Sequence, residues 1–477
     1  MKDTTVRLTQ ISIENFKNVS YGILDLANNR KNYKANILGL YGQNGSGKTA
    51  LIDAIQLLKF ALMGRSIPAV FAEYINIDAP FARFAFCFDV KKGIDSFQLK
   101  YEFSVRKALD SSAQNMSQEE DAPTAREKTR VEVFDEILSC SFAGEGKRDR
   151  IGPIIKTDTD SVFAPAPKYQ LLVGKGKKAK TDLLVAKQLA LTTSRSFVFS
   201  GELLNAIRAN KSTEESVDYS VYTSLLEALV YFGNFELFVI NTTNSGLISL
   251  NAQPLVFKYE AANSNAIGSL MLPLEQPVTI PKKAVEVVRR IIGSMNVVLE
   301  QIVPGLTVSL KELGAQLLPD GKTGLRIQLM SHKNGKDIPL CYESEGIKKI
   351  ISILQLLIVI YNQASITVAI DELDSGVFEY LLGELLRIIS EKGKGQLIFT
   401  SHNLRPLETL DNGFIAFTTT NPDNRYIRFT NVKGTNNLRD FYFRDIVLGE
   451  QSEEVYDPTN NAEIALAFRE AGEVHGS

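Results

Sequence analysis

The chain has 477 residues, with 53 Lys+Arg against 55 Asp+Glu and a net charge of −2. Hydrophobic residues make up 44% and charged residues 23%, a globular profile that excludes a disordered or globally basic chain but leaves room for a local basic patch. Cys87, Cys140 and Cys341 lie far apart, which excludes a disulfide scaffold, argues against a structural zinc site and suits a reducing compartment.

Residues 1–9 are polar and charged, with no apolar leader pattern. The longest apolar run, Ile350–Tyr361, is about twelve residues, against the roughly twenty needed to span a bilayer. A cytoplasmic protein without membrane contact is expected. Val6–Ile13 alternates as a half-buried strand does, and Ala35–Tyr41 reads as a buried strand running into Gly42. Residues 48–63 are helical, with Leu51, Ile55, Leu58 and Leu62 on one face. Phe81–Val90 and Phe97–Val105 alternate around a Lys91-Lys92-Gly93 turn, an antiparallel hairpin, and Val131–Cys140 returns to that sheet. Between them, Asp110–Arg130 is a polar, flexible loop. Lys168, Lys175, Lys177, Lys178, Lys180 and Lys187 then form a basic loop relieved only by Asp182. Short helices are expected from Asp182 to about Val239, and irregular or β structure from Gly246 to Glu275. A helix from Pro281 to about Ile302 carries Val285, Val288, Ile291 and Ile292 on its apolar side. No solenoid-length repeat and no long heptad array is present.

Gly42-Gln43-Asn44-Gly45-Ser46-Gly47-Lys48-Thr49 fits G-x-x-x-x-G-K-[ST], with a buried strand before it and an amphipathic helix after it. Glycines let backbone N–H groups curl around phosphate oxygens, and the helix N-terminus adds positive potential there. Lys48 is placed to reach the β- and γ-phosphates and Thr49 to bind Mg²⁺. A second buried strand, Ile366–Ile370, ends in Asp371 and Glu372. Asp371 is expected to hold Mg²⁺ and Glu372 to polarise the attacking water as general base. Ser344-Glu345-Gly346-Ile347-Lys348 opens the Ile350–Tyr361 helix upstream. Leu373-Asp374-Ser375 follows Glu372, and a third strand, Gln396–Thr400, ends in Ser401-His402.

Phosphate loop, Ser-x-Gly helix cap, Asp-Glu, Asp loop and strand-terminal His, in this order, resemble the ATP-binding cassette family. The resemblance covers about residues 6–105 and 300–430. It implies an α/β fold: an ABC-type phosphate-loop ATPase with a mixed central sheet, an antiparallel β subdomain and a mainly helical insertion. The expected division is 1–150 for the N-terminal ATPase lobe, 151–300 for the insertion with its basic loop, 301–440 for the C-terminal ATPase lobe, and 441–477 for a tail with a helix around Ala462–Glu470. The cofactors implied are ATP and Mg²⁺. Ser344, Gly346 and Lys348 would close over the γ-phosphate of a nucleotide bound to another copy, in a head-to-tail dimer or a higher oligomer. His402 would sense that phosphate and Asp374 would couple the two sites. His332 and His475 read as surface residues.

The signature reads SEGIK rather than the transporter-type LSGGQ, which points to the chromosome-maintenance and OLD-like branch. Ile11-Ser12-Ile13-Glu14-Asn15-Phe16-Lys17-Asn18 resembles the opening strand of that branch, where Lys17 either nears the nucleotide or sits on the surface. No Q-loop glutamine is evident, and Gln98 falls in a strand. Only 75 residues follow His402, too few for a Toprim nuclease domain. Asp371–Leu386 resembles the AriA-type ATPases of PARIS anti-phage systems. That resemblance implies an oligomeric ATPase scaffold controlling a separate Toprim-type, AriB-like nuclease and triggered by an acidic, DNA-mimicking phage protein. The Lys168–Lys187 run is either a docking surface for such a mimic or for nucleic acid, or an exposed lysine loop. The alternative function is a DNA-repair or chromosome-associated ATPase that clamps DNA directly.

Overall fold

The structure is a computed structural model that describes residues 4–28, 32–109, 129–144, 147–148, 150–159, 161–210, 216–241, 252–261, 264–274, 276–430, 432, 437–449 and 451–473. Most of the expected loop at 110–130, and His475, lie outside the described residues. The N-terminal strands are β1 (Thr4–Phe16), β2 (Val19–Asp25) and β3 (Asn36–Tyr41), and α1 (Lys48–Leu62) follows the phosphate loop. Then come β4 (Ala82–Lys92), β5 (Asp95–Leu109), β6 (Thr129–Gly144), β7 (Lys147–Arg148) and β8 (Gly152–Lys156). Helices α2 (Ala166–Val173), α3 (Lys177–Thr192), α4 (Gly201–Asn210) and α5 (Val217–Phe235) lead to β9 (Leu237–Ile240). A hairpin of β10 (Ala252–Ala261) and β11 (Ser264–Pro273) precedes β12 (Val278–Pro281), α6 (Lys282–Ile302), β13 (Leu306–Leu317), β14 (Thr323–Lys333) and β15 (Lys336–Pro339). The C-terminal part contains α7 (Glu345–Asn362), β16 (Thr367–Ile370), α8 (Glu379–Lys392), β17 (Gln396–Thr400) and α9 (Arg405–Thr409). It continues with β18 (Ile415–Thr418), β19 (Tyr426–Ile427), α10 (Leu438–Leu448) and α11 (Asn461–Glu473).

Two sheets dominate. The antiparallel sheet runs β2-β1-β4-β5-β6-β7, with β8 also on β6. The mixed central sheet runs β19-β18-β3-β17-β16-β9, and only β19 is antiparallel to its neighbour. Central strands are apolar on both sides because both faces are covered. Leu38 and Leu40 of β3 join the core with α1 and the antiparallel sheet. Ile37 and Tyr41 join the opposite core with α6, α7 and α8. A smaller sheet, β12-β14-β13 with β15, packs on α6, where Val285, Val288, Ile291 and Ile292 face inward as their spacing predicts.

Two sequence expectations differ from the fold. The lysine run is mostly helical: Lys168 lies on α2, Lys177, Lys178, Lys180 and Lys187 lie on α3, and Lys175 alone of the six lies in the connection between them. Lys168 donates to the Tyr222 hydroxyl at 2.5 Å, and Lys187 donates to the carbonyls of Ser161 and Val162. Local charge density says little about backbone state when such stems can fold back along a surface. Residues 237–239, read as helical and within the insertion, form a strand parallel to β16 instead. A four-residue apolar run has no periodicity of its own, so the open edge of the central sheet decides it.

Buried polar side chains tie these bodies together. β1 shifts register between Leu8 and Gln10, and Gln396 of β17 satisfies the displaced backbone: its Oε1 accepts from Leu8 N and its Nε2 donates to Leu8 O, both at 2.8 Å. Glu136, 1% exposed, joins β6 to the segment before α4. Its carboxylate accepts from the Tyr101 hydroxyl at 2.6 Å, from Phe197 N at 2.7 Å and from the Ser196 hydroxyl. Burial pushes this carboxyl above its ordinary pKa, and the donors oppose the shift. Glu136→Ala would strand those donors and should cost about 2–4 kcal/mol of stability, read from the urea midpoint.

Candidate functional site

Strands β3, β17 and β16 are parallel, and their carboxyl ends lie side by side: Leu40 pairs with Thr400 and Phe399 with Ile370. The phosphate loop, the paired carboxylates and the strand-terminal histidine each follow one of these ends, whereas Ser344, Gly346 and Lys348 open α7 ahead of β16. The phosphate loop leaves β3, Asp371 and Glu372 leave β16, and His402 follows β17. Connections beyond the carboxyl ends of parallel strands are where open α/β sheets place ligands.

The loop backbone is shaped by its surroundings. Gly42 has φ 153°, and a methyl there would meet Thr418 Oγ1 at 1.7 Å. Thr418 lies within 2.5 Å of Ser46 Oγ and donates to Tyr41 O. Arg425 packs beneath Gly47 and donates to Asn18 O at 2.6 Å, and Tyr426 donates to Gly47 O at 3.0 Å. Helix α1 begins without a capping side chain and without an acidic residue in its first turn. Its first N–H groups therefore point toward the loop as anion donors. Lys48 Nζ donates to Gly42 O at 2.8 Å and Gln43 O at 3.0 Å. Burial lowers its pKa, while Asp371, Glu372 and Asp374 pull it back up.

Thr400 organises the acidic side. Its hydroxyl donates to Asp371 Oδ1 at 2.5 Å and accepts from Glu372 N at 2.8 Å. Glu372 holds φ 48°, a left-handed backbone that costs a non-glycine residue roughly 1–3 kcal/mol and persists only where neighbours enforce it. Asp374 Oδ2 accepts from His402 N at 3.1 Å and Asn403 N at 2.9 Å, so the acidic loop and the β17 terminus form one turn.

A cavity of about 340 Å³ opens between these parts. Its lining runs from Asn44 through Ala50 and includes Lys17, Asn18, Asp371, Glu372, Thr400 and His402. Gly42 and Gln43 lie beneath it, where they take the Lys48 bonds. None of residues 344–348 lines it. Ser344 caps α7, accepting from Ile347 N at 3.4 Å, and is exposed. Gly346 packs on the acidic loop of the same chain. Lys348 is turned inward, 4% exposed and bonded to Glu345 at 2.6 Å, so its side chain does not face outward as the signature reading expects. His332 is a surface residue paired with Asp337 at 2.8 Å. Gln98 sits opposite Asp89 inside the antiparallel sheet and does not line the cavity.

Several residues join the site without a motif to announce them. Asp53, buried on α1 one turn after Thr49, takes Lys17 on one oxygen and the Asn241 amide on the other. Burial raises the Asp53 pKa, and Lys17 lowers it. Lys17 also lies 4.1 Å above the Tyr74 ring. Thr400, Thr418 and Lys349 are the others. The only available signal was a polar residue on a face that should be apolar.

The AAA_15 family, described as an AAA ATPase domain, matches residues 7–405. The chain belongs to this ATPase family. Similar solved structures include an SMC head bound to the C-winged helix domain of ScpA, at 12% identity, covering 89% of this chain and 98% of that one, TM-score 0.38. They also include an SMC head domain from Thermotoga maritima, at 13% identity, 89% and 99% coverage, TM-score 0.35. The recombination mediator RecF with ATP is another, at 12% identity, 89% and 100% coverage, TM-score 0.35. No curated protein sequence matches. No helix among the described residues is long and apolar enough to cross a membrane.

In this ATPase, Thr400→Val removes the hydroxyl that fixes both carboxylate-bearing residues. The expected loss is about 10–100-fold in kcat, the range for hydrogen-bond partners that orient the carboxylates of a site, with nucleotide affinity in EDTA unchanged. Steady-state hydrolysis and nucleotide titration check this.

Proposed function

We propose that this ATPase is a nucleotide-gated switch whose complete catalytic site forms only between two copies. One observation carries the reading: the phosphate-loop cavity and the exposed, serine-capped end of α7 are separate surfaces of one chain. An exposed helix N-terminus with a serine hydroxyl offers anion donors that its own cavity does not use.

ATP fits the cavity through the uncapped N–H groups of α1, the ammonium of Lys48 and the volume available. Lys48 would exchange its two carbonyl partners for β- and γ-phosphate oxygens. Thr49 and Asp371 are oxygen donors of the type Mg²⁺ takes, and Asp371 is held by Thr400. Mg²⁺ held there would supply charge neutralisation for the phosphates. Glu372 would take a proton from the attacking water. His402 would donate to the γ-phosphate, and Asp374 would couple the two sites. Ser344 and the amide of Gly346 would seal the phosphate from the second copy. Lys348 would act there by holding Glu345 and the first turn of α7.

At the level of the cell we propose an ATP-operated scaffold of a bacterial anti-phage complex, which restrains a separate Toprim-type nuclease and releases it on meeting an acidic phage protein. The resemblance of Asp371–Leu386 to AriA-type ATPases and the non-transporter signature support this. A scaffold of this kind needs a population shift rather than fast turnover. Co-purification with a Toprim nuclease, lost when the acidic protein is added, is the expected result. A clamp acting on DNA would instead bind duplex directly, with affinity falling steeply as salt rises.

Glu372→Gln should retain ATP, reduce kcat by about 100-fold or more, and accumulate the ATP-joined assembly on size exclusion. Lys48→Ala should abolish nucleotide binding. Ser344→Arg should bind ATP but not assemble. A mixture of Ser344→Arg and Lys48→Ala chains should regain one composite site in a dimer, and a mixture as inactive as its components rejects the trans arrangement.

A further inference from the structure

Helix α7 and the acidic loop of the same chain are locked together at two points. The first is backbone against backbone. A methyl on Gly346 would come 2.4 Å from Gly376 O, so the first turn of α7 rests directly on the loop after Asp374.

The second point is Lys349. It is 2% exposed, on the inner face of α7, and its Nζ donates to Glu372 O at 3.5 Å. That carbonyl belongs to the residue with φ 48°. Asp374, Glu372 and Asp371 all attract the ammonium, which partly opposes the fall in its pKa that burial causes. Asp374 turns one oxygen to His402 N and Asn403 N, while its Oδ1 is buried without a hydrogen-bond partner among the described residues. A buried ammonium survives only where opposite charge offsets its lost hydration. Here the offset is the acidic loop itself. A strained peptide likewise persists only where its surroundings hold it. The ammonium is a contact from outside the loop that reaches the Glu372 carbonyl.

We propose that Lys349 is a positioning residue for ATP hydrolysis. It is the internal counter-ion of the acidic loop, and it holds the Glu372 peptide to the helix whose serine-capped end meets the second copy. The two ends of α7 contact then have distinct jobs. Ser344 faces a nucleotide held by another chain, and Lys349, little more than a turn further on, sets the hydrolytic carboxylate of its own chain. Tilting α7 on engagement would move Lys349 and with it Glu372. Hydrolysis in one site thereby reports closure at the other. This inference rests on the two-copy reading above.

The test uses the full chain carrying Lys349→Met or Lys349→Arg, with Glu372→Gln as control. ATP turnover is measured alongside binding of a fluorescent non-hydrolysable ATP analogue and the thermal midpoint. Lys349→Met should lose 10–100-fold in kcat, with analogue affinity within twofold of the parent and a similar midpoint. Lys349→Arg should recover most of the lost rate. If Lys349→Met does not fold, Lys349→Gln decides on the same measurements, because it keeps a donor for the Glu372 carbonyl and drops the charge. A kcat within twofold of the parent overturns the assignment. So does a loss that tracks the thermal midpoint and that arginine fails to restore. Normal turnover in Glu372→Gln would remove the underlying catalytic reading, whereas a dead Glu372→Gln beside a normal Lys349→Met removes only the inference.

Discussion

The site depends on the register of three parallel strands. Leu40 opposite Thr400 and Phe399 opposite Ile370 bring the ends of β3, β17 and β16 level, so that a glycine loop, a threonine hydroxyl and two carboxylates meet at one edge. A one-residue slip would send Thr400 to the other face of the sheet and leave Asp371 Oδ1 and Glu372 N without their shared partner. Apolar residues on both faces of each strand resist that slip, because two separate cores read the alternation at once. Packing on both faces thereby sets the position of a hydroxyl.

Around this edge, polar side chains buried between bodies fix how the antiparallel sheet, the helices and the central sheet sit together. Gln396 completes the backbone of a bulge in β1. Asp53 joins Lys17 of the antiparallel sheet to Asn241 at the end of β9. Glu136 gathers donors from β5 and from the segment before α4. Buried polar groups are tolerated when their partners are in place and costly otherwise, so each such cluster favours one arrangement of its neighbours over others of similar apolar burial. Lys17 lines the cavity while its ammonium bonds to Asp53.

The parts of the site that were legible in the sequence are those whose chemistry needs consecutive residues. A phosphate cradle needs glycines, a lysine and a hydroxyl in one turn, and Gly42–Thr49 supplies them. Asp371 and Glu372 were legible because the phosphate loop stands upstream of them; a buried strand followed by an acidic turn says little alone. Ser344 was legible as a helix cap. The antiparallel strands were found by their alternation, and α6 by the spacing of Val285, Val288, Ile291 and Ile292. The lysine run was misread as a loop: Lys175, Lys177, Lys178 and Lys180 are exposed as their charges suggest, but most of the run is helical, and Lys168 and Lys187 bond to Tyr222 and to backbone carbonyls. Residues 237–239 were misread because so short an apolar run carries no period. Lys348 was expected to act on a second copy's nucleotide with Ser344 and Gly346, whereas its side chain is buried and bonded to Glu345.

What the sequence determined by itself was local: which loop could hold a triphosphate, which carboxylates could hold a metal or move a proton, and which segments had to be buried. These follow from neighbours along the chain, where spacing alone sets geometry. Tertiary structure decided which distant residues serve that loop. Thr400 reaches Asp371 when β17 pairs with β16, Thr418 supports Gly42 when β18 pairs with β3, Asp53 meets Lys17 when α1 packs on β1, and Lys349 faces the acidic loop when α7 packs on β16. No local pattern encodes such pairings, because a threonine or lysine acquires its role from the partner that folding places opposite it, and the free energy that selects that partner is spread over the two cores.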